Sequence, residues 1–178
     1  MTGSGSAIEV RGLVKRYGRK TVLRQLNLTV RQGESVVLFG PNGAGKTTLM
    51  RIISTLSKPL AGRVRVGGYE VSQMPDAVRQ QLGFVTHQPL LYDSLSAQEN
   101  LLFFGRMYGL AQLDERISHL LGRVGLLARR HDPVRTFSRG MVQRLSIARA
   151  LLHDPPVLLL DEPDTGLDQQ AARMLRSE

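Results

Sequence analysis

The clearest chemistry lies in eight consecutive residues, Gly40-Pro41-Asn42-Gly43-Ala44-Gly45-Lys46-Thr47, which fit the spacing G-x-x-x-x-G-K-[ST] in full. Glycines at these positions let backbone N–H groups turn inward around phosphate oxygens. Lys46 is a point charge for β- and γ-phosphates, and the Thr47 hydroxyl can ligate Mg²⁺. A helix opening at Thr47 and Thr48 aims its N-terminal dipole at the anion. A chance match is expected in on the order of one chain in a hundred of this length. Here the pattern also falls between an apolar run and a helical pattern, as the mechanism requires.

A second constellation is Val157-Leu158-Leu159-Leu160-Asp161-Glu162, an apolar run ending in two adjacent carboxylates. Side chains alternate at a strand end. Asp161 can therefore hold Mg²⁺ through water while Glu162 points elsewhere, free to polarise a nucleophile. Acidic residues often follow strands, so the pair is informative only beside the phosphate loop.

The elements that must position these groups are legible in outline. Ile8, Val10 and Leu13 begin an extended segment, and Leu26, Leu28 and Val30 alternate with polar residues as in a half-buried strand. The run 35–39 reads as a fully buried strand leading into the Gly-rich loop. Leu49, Ile52 and Ile53 give residues 47–56 a helical pattern. Val64 and Val66 predict a strand, Gly67-Gly68 a turn, and 82–86 another strand. Ser96-Ala97-Gln98-Glu99 is a capping box. A further helix starts near Asp114 with Ile117, Leu120, Leu121 and Val124 on one face. Ser138 caps a third, which runs to about His153 and is stopped by Pro155-Pro156.

Length and charge narrow the classes. The chain has 178 residues, 42% of them hydrophobic, enough for one domain with a real core. Of its 24 basic residues, 20 are Arg, scattered from Arg11 to Arg176, and the formal net charge is +9. Aromatics at 5% leave little on which to stack bases, so no nucleic-acid partner is expected. The absence of Cys excludes a thiolate metal site. His87, His119, His131 and His153 show no metal-ligand pairing. Neither a membrane span nor a secretion signal is expected.

In this order and spacing the motifs resemble the nucleotide-binding domain of ATP-binding cassette (ABC) proteins over nearly the whole chain. Ser138-Arg139-Gly140-Met141 stands where the family's signature motif belongs, and residues 143–151 look like its signature helix. Gln88 matches the glutamine after the Q-loop strand, Tyr17 the aromatic that stacks on adenine, and Thr165-Gly166-Leu167-Asp168 the D-loop. The resemblance implies an α/β P-loop NTPase fold. An antiparallel β subdomain from the first third would join a core of about 7–89 and 156–178, with a helical subdomain at about 90–155; apart from the resemblance, the Gly/Ser/Thr stretch 1–6 has no apolar anchor and reads as a flexible tail. The resemblance implies ATP and Mg²⁺ as ligands, the latter held by Thr47, Gln88 and Asp161. It also implies a head-to-tail dimer in which Ser138 and the Gly140 N–H touch the γ-phosphate bound by the partner. Glu162 would be the general base, and Gln88 would link the site to separate membrane permease subunits. The chain would then sit peripherally on the cytoplasmic side of the cell membrane.

Three departures qualify the expectation. Arg139 replaces the first glycine of the signature, and Met141 replaces a glutamine whose hydrogen bonds it cannot make. No His occupies the family's switch position, about thirty residues past Glu162, and the strand that carries it is also missing. The expectation is an incomplete C-terminus, a central gap in the sheet with orphan backbone groups, and little hydrolysis by the 178 residues alone. Within the family, residues 136–150 and 102–110 look most like the haem-exporter ATPase of cytochrome c maturation. The competing readings are a non-transport cassette ATPase acting on ribosomes or DNA, and a P-loop small-molecule kinase.

Overall fold

A computed structural model describes residues 5–86 and 88–161. His87, Glu162 and the D-loop-like residues 165–168 lie outside the described residues. The chain divides into two compact units, Met1–Leu82 and Gly83–Glu178.

In the first unit, β1 (Ser6–Tyr17) and β2 (Lys20–Arg31) form an antiparallel hairpin. β3 (Ala61–Val66) pairs antiparallel with the other edge of β1, and β4 (Tyr69–Glu70) pairs back onto β3. The sheet order is β2-β1-β3-β4. Period-two alternation decides its faces. Ile8 lies opposite Val66 and Val10 opposite Val64, and all four are buried. Arg11, Arg63 and Arg65 stay exposed. α1 (Lys46–Ile53) buries Leu49, Ile52 and Ile53 and packs on β3. α2 (Pro75–Gln80) starts at a proline, buries Val78 and packs on β4. Its six residues are too few for a periodic signal, and the sequence reading does not include it.

The β1–β3 register slips between Arg11 and Val14. Gly62 sits there at φ 90°, and a Cβ on it would lie 2.4 Å from the Gly12 carbonyl oxygen. Only glycine fits, and the irregularity re-aims the end of β1 that carries Lys15 and Tyr17.

Residues 35–39 overturn an expectation. They are not a strand, and Val36, Val37 and Phe39 are 42%, 70% and 90% exposed. An apolar run holds as a buried strand only with ladder partners on its edges and cover on its faces. Among the described residues nothing supplies either.

In the second unit, β5 (Leu82–Val85) is hydrogen-bonded to β6 (Val157–Leu160). The Asp161 N–H extends the ladder by donating to the Val85 carbonyl at 2.9 Å. Among the described residues this unit also has three α-helices, α3 (Ala97–Met107), α4 (Leu113–Arg123) and α5 (Arg139–Leu151), and two single-turn 3-10 helices at Leu127–Arg129 and Val134–Thr136. Their apolar faces meet in one core that includes Leu101, Ile117, Leu121, Leu126, Leu145 and Ile147. The capping box of α3 forms as expected. The Glu99 N–H donates to Ser96 Oγ at 3.2 Å, and the Ser96 N–H donates to the Glu99 carboxylate at 2.8 Å. That backbone bond, then the Ser96 hydroxyl, hold the Glu99 carboxyl below the ordinary carboxylate range. Its contribution to stability is therefore present above the unfolded value. It is lost as pH falls through the lower folded one.

Asn100 is fully buried on α3 and organises the loop before it. Its side-chain amide donates to the carbonyls of Tyr92 and Ser96, each at 3.0 Å, and its Oδ1 accepts from the Tyr92 N–H at 2.8 Å. Asn100→Ala strands these backbone groups, and a loss of about 2–4 kcal/mol of unfolding free energy is expected. Denaturant titration checks it; a loss below about 0.5 kcal/mol, the ordinary surface value, would mean the loop is held by other means.

Candidate functional site

The phosphate-loop residues lie at the start of α1. Gly45 is its N-cap, in the left-handed region at φ 97°. A Cβ there would lie 2.8 Å from Leu23 Cδ2 and 3.1 Å from Val22 Cγ1, so the loop packs against β2, and the left-handed φ strains any residue but glycine. Gly43 is also left-handed, at φ 82°. The Ala44 N–H donates to the Pro41 carbonyl at 3.2 Å and closes the loop. No side chain caps the helix start and no acidic residue stands in its first turn. A helix end of this kind suits an anion. Lys46 curls over the loop, its ammonium donating to the carbonyls of Gly40 at 2.6 Å and Pro41 at 3.2 Å. This donor set, a cation over a glycine loop at an uncapped helix start, fits a polyphosphate. Thr47 and Thr48 follow in the first turn of the same helix, half-buried.

Tyr17 ends β1, 51% exposed, where a two-residue turn leads to Lys20. Gly18 at φ 55° opens the turn, as tight hairpins favour. The returning strand carries Val22 and Leu23, the residues that meet Gly45. One hairpin thus supports the phosphate loop and presents Tyr17.

Charge is divided unevenly. Thirteen of the 24 basic residues but only four of the 15 acidic ones fall in residues 1–82, so this unit carries the entire net charge of +9. Lys15, Arg16, Arg19, Lys20 and Arg24 cluster along the hairpin, and among the described residues none is paired with a carboxylate. A positive potential on the unit with the phosphate loop favours a polyanionic ligand.

The second unit holds the other predicted residues. Gln88 follows β5 in an exposed bend, its carbonyl accepting from the Thr86 hydroxyl. Asp161 is buried just past β6. Ser138 is the exposed N-cap of α5, its Oγ accepting the Met141 N–H at 3.3 Å. A hydroxyl that accepts inward still has its own proton to donate outward. Arg139 is exposed beside it, and a Cβ at Gly140 would meet nothing within 4 Å. Tyr17 and residues 40–48 thus share one unit, and Gln88, Ser138, Gly140 and Asp161 the other.

The sequence reading missed Arg149. Half-buried on α5, it donates to the Phe84 carbonyl of β5 at 2.6 Å, and its guanidinium carbon lies 5.2 Å from the Phe104 ring centroid. Burial lowers its pKa. Phe104 stacks on Tyr92, four residues after Gln88, at 6.4 Å, and Phe103 meets Tyr92 edge-on at 5.1 Å. This cation ties the helix capped by Ser138 to the strand before Gln88 and to a half-exposed aromatic group. Its only signal in the sequence is a charge among the apolar residues of α5. Among the described residues no group of three or more His, Cys, Asp or Glu could hold a metal. No described helix is long and apolar enough to cross a membrane.

Comparison with known proteins gives consistent matches. The family model described as ABC transporter matches residues 23–165. The linearmycin resistance ATP-binding protein LnrL of Bacillus subtilis (strain 168) is 40% identical over 92% of this chain and 53% of its own length. The daunorubicin resistance ATP-binding protein DrrA3 of Streptomyces coeruleorubidus is 44% identical over 92% of this chain and 52% of its own. The chain spans about half the length of these curated relatives. A solved ATP-binding subunit of an ABC transporter superposes with a TM-score of 0.88 and 34% identity, covering 96% of this chain and 72% of that one. The ATP-binding cassette MJ0796, solved as a dimer in a post-hydrolysis state with ADP and Pi, gives 0.84 and 29%, covering 96% and 82%.

Proposed function

Because this chain belongs to the ABC transporter family of ATPase domains, we propose that it is the ATP-binding, energy-coupling part of a membrane transporter. The observation that carries the reading is the glycine loop over an uncapped helix start, with the Lys46 ammonium already above it. Lys46 and the N–H groups of residues 43–48 hold the β- and γ-phosphates. Tyr17 stacks the adenine. Thr47, Gln88 and Asp161 would hold Mg²⁺, which would neutralise phosphate charge. The Glu162 carboxylate accepts the proton of the attacking water.

The partner is a second cassette, head to tail, so that Ser138 and the Gly140 N–H meet the nucleotide held by the other copy. That MJ0796 was solved as a dimer supports a second cassette as the partner. Dimer closure on ATP and opening after loss of the γ-phosphate is the switch that does work on the membrane partner. Leu90 and Tyr92, 41% and 49% exposed, with Phe103 beside them, offer that partner an apolar face just after Gln88. The protein then sits peripherally on the cytoplasmic side of the membrane. Its division into core residues 7–89 and 156–178 with a helical subdomain at 90–155 belongs to the same reading.

The finer reading best supported is export of a toxic small molecule, since two relatives are named for resistance to linearmycin and daunorubicin. The haem-exporter likeness at 136–150 and 102–110 rests on sequence alone.

The test is to express the tagged protein with its neighbouring reading frames and fractionate the cells. It is expected to co-purify from membranes with an integral membrane protein. Sedimentation with ribosomes or DNA, and none with membranes, would support the non-transport alternative instead.

A further inference from the structure

Lys15 is two residues before Tyr17 on β1, and its ammonium has two contacts. It lies 5.2 Å from the centroid of the Tyr17 ring and donates to the Lys58 carbonyl at 2.6 Å. The Lys58 segment is itself pinned on both sides. The Ser57 N–H donates to the Arg51 carbonyl in the last turn of α1 at 2.9 Å, and the Leu60 N–H donates to the Val14 carbonyl of β1 at 2.9 Å. A continuous chain of bonds therefore runs from α1 through Lys58 and Lys15 to the face of Tyr17. The start of that helix is the phosphate loop.

We propose that Lys15 is a positioning residue for nucleobase binding: clamped between the Lys58 carbonyl and the Tyr17 ring, it holds that ring and leaves its opposite face for the base. The proposal rests on the reading that Tyr17 stacks the adenine of ATP. It goes further in assigning the cation that fixes the ring, and in keying base site and phosphate site to one helix. A ring already immobilised loses less conformational freedom when a base stacks on it. A cation over one face of a tyrosine is also an attractive contact in its own right, so the ring orientation is a preferred one. Arg16, Arg19 and Lys20, the other cations of the turn, have no ring contact among the described residues. They act through charge, which affects any phosphate ligand.

The test separates base from phosphate by comparing MgATP with inorganic tripolyphosphate as ligands of the full chain. Lys15→Met is expected to lower the ratio of ATP to tripolyphosphate affinity about threefold, the size of an exposed cation–π contact. Lys20→Met, which removes an equal charge, leaves that ratio unchanged. Lys15→Arg, which keeps a cation able to stack on the ring, restores it, and Lys15→Met adds no further loss in a Tyr17→Ala background. Equal weakening of both ligands by Lys15→Met would overturn the proposal, because Lys15 would then be only another charge. If Tyr17→Ala itself lowers the ratio but Lys15→Met does not, the positioning role fails and adenine stacking stands. If Tyr17→Ala leaves the ratio unchanged, both fall.

Discussion

Lys46→Met is expected to weaken MgATP binding by about 100-fold or more, equivalent to about 2.7 kcal/mol. The ammonium stands over the loop, bonded to the Gly40 and Pro41 carbonyls. Those are interactions among exposed groups, so removing them costs the fold little. Phosphate binding changes the account, because the ammonium then makes charge-assisted bonds to a dianionic terminal group in a cradle of backbone N–H dipoles. Methionine keeps the stem and loses the charge. Titration of the variant, with its thermal unfolding compared to wild type, separates lost binding from lost folding. A variant that folds normally and binds ATP within threefold of wild type would remove Lys46 from the site.

The second large effect concerns hydrolysis. Glu162→Gln is expected to slow ATP turnover by about 10²–10⁴-fold, the usual contribution of a positioned base, while ATP affinity stays within about twofold. Glutamine keeps the shape of the side chain and the hydrogen bond to water, and cannot take the proton. The comparison belongs in single-turnover conditions with protein in excess, where the chemical step is read apart from product release. Hydrolysis by the variant within tenfold of wild type would assign the base to another residue.

What was legible in the sequence follows how local each feature is. The phosphate loop is eight contiguous residues whose spacing is its own signature, and it sits at a helix start as the spacing demands. The capping box at Ser96 and Glu99 and the Ser138 cap are equally local, and both form. Tyr17, Gln88, Ser138 and Gly140 have no such signature. A single tyrosine or glutamine is ordinary, and only the family's order of motifs marked them. Residues 35–39 show the opposite failure. Their apolarity is local but a strand is not, since its backbone groups need partners from elsewhere, and among the described residues none pairs with them. Asn100 and Arg149 were missed for a related reason. Each is a polar residue on an apolar helix face, and the backbone groups it satisfies come from another segment, in Arg149's case 65 residues away.

Calorimetric titration of the chain with MgATP decides whether residues 40–48 bind a nucleoside triphosphate through its phosphates. Saturable binding at one site per chain is expected, displaced by tripolyphosphate and far weaker for AMP. AMP binding as tightly as ATP, or no saturable binding by a folded chain, would contradict it.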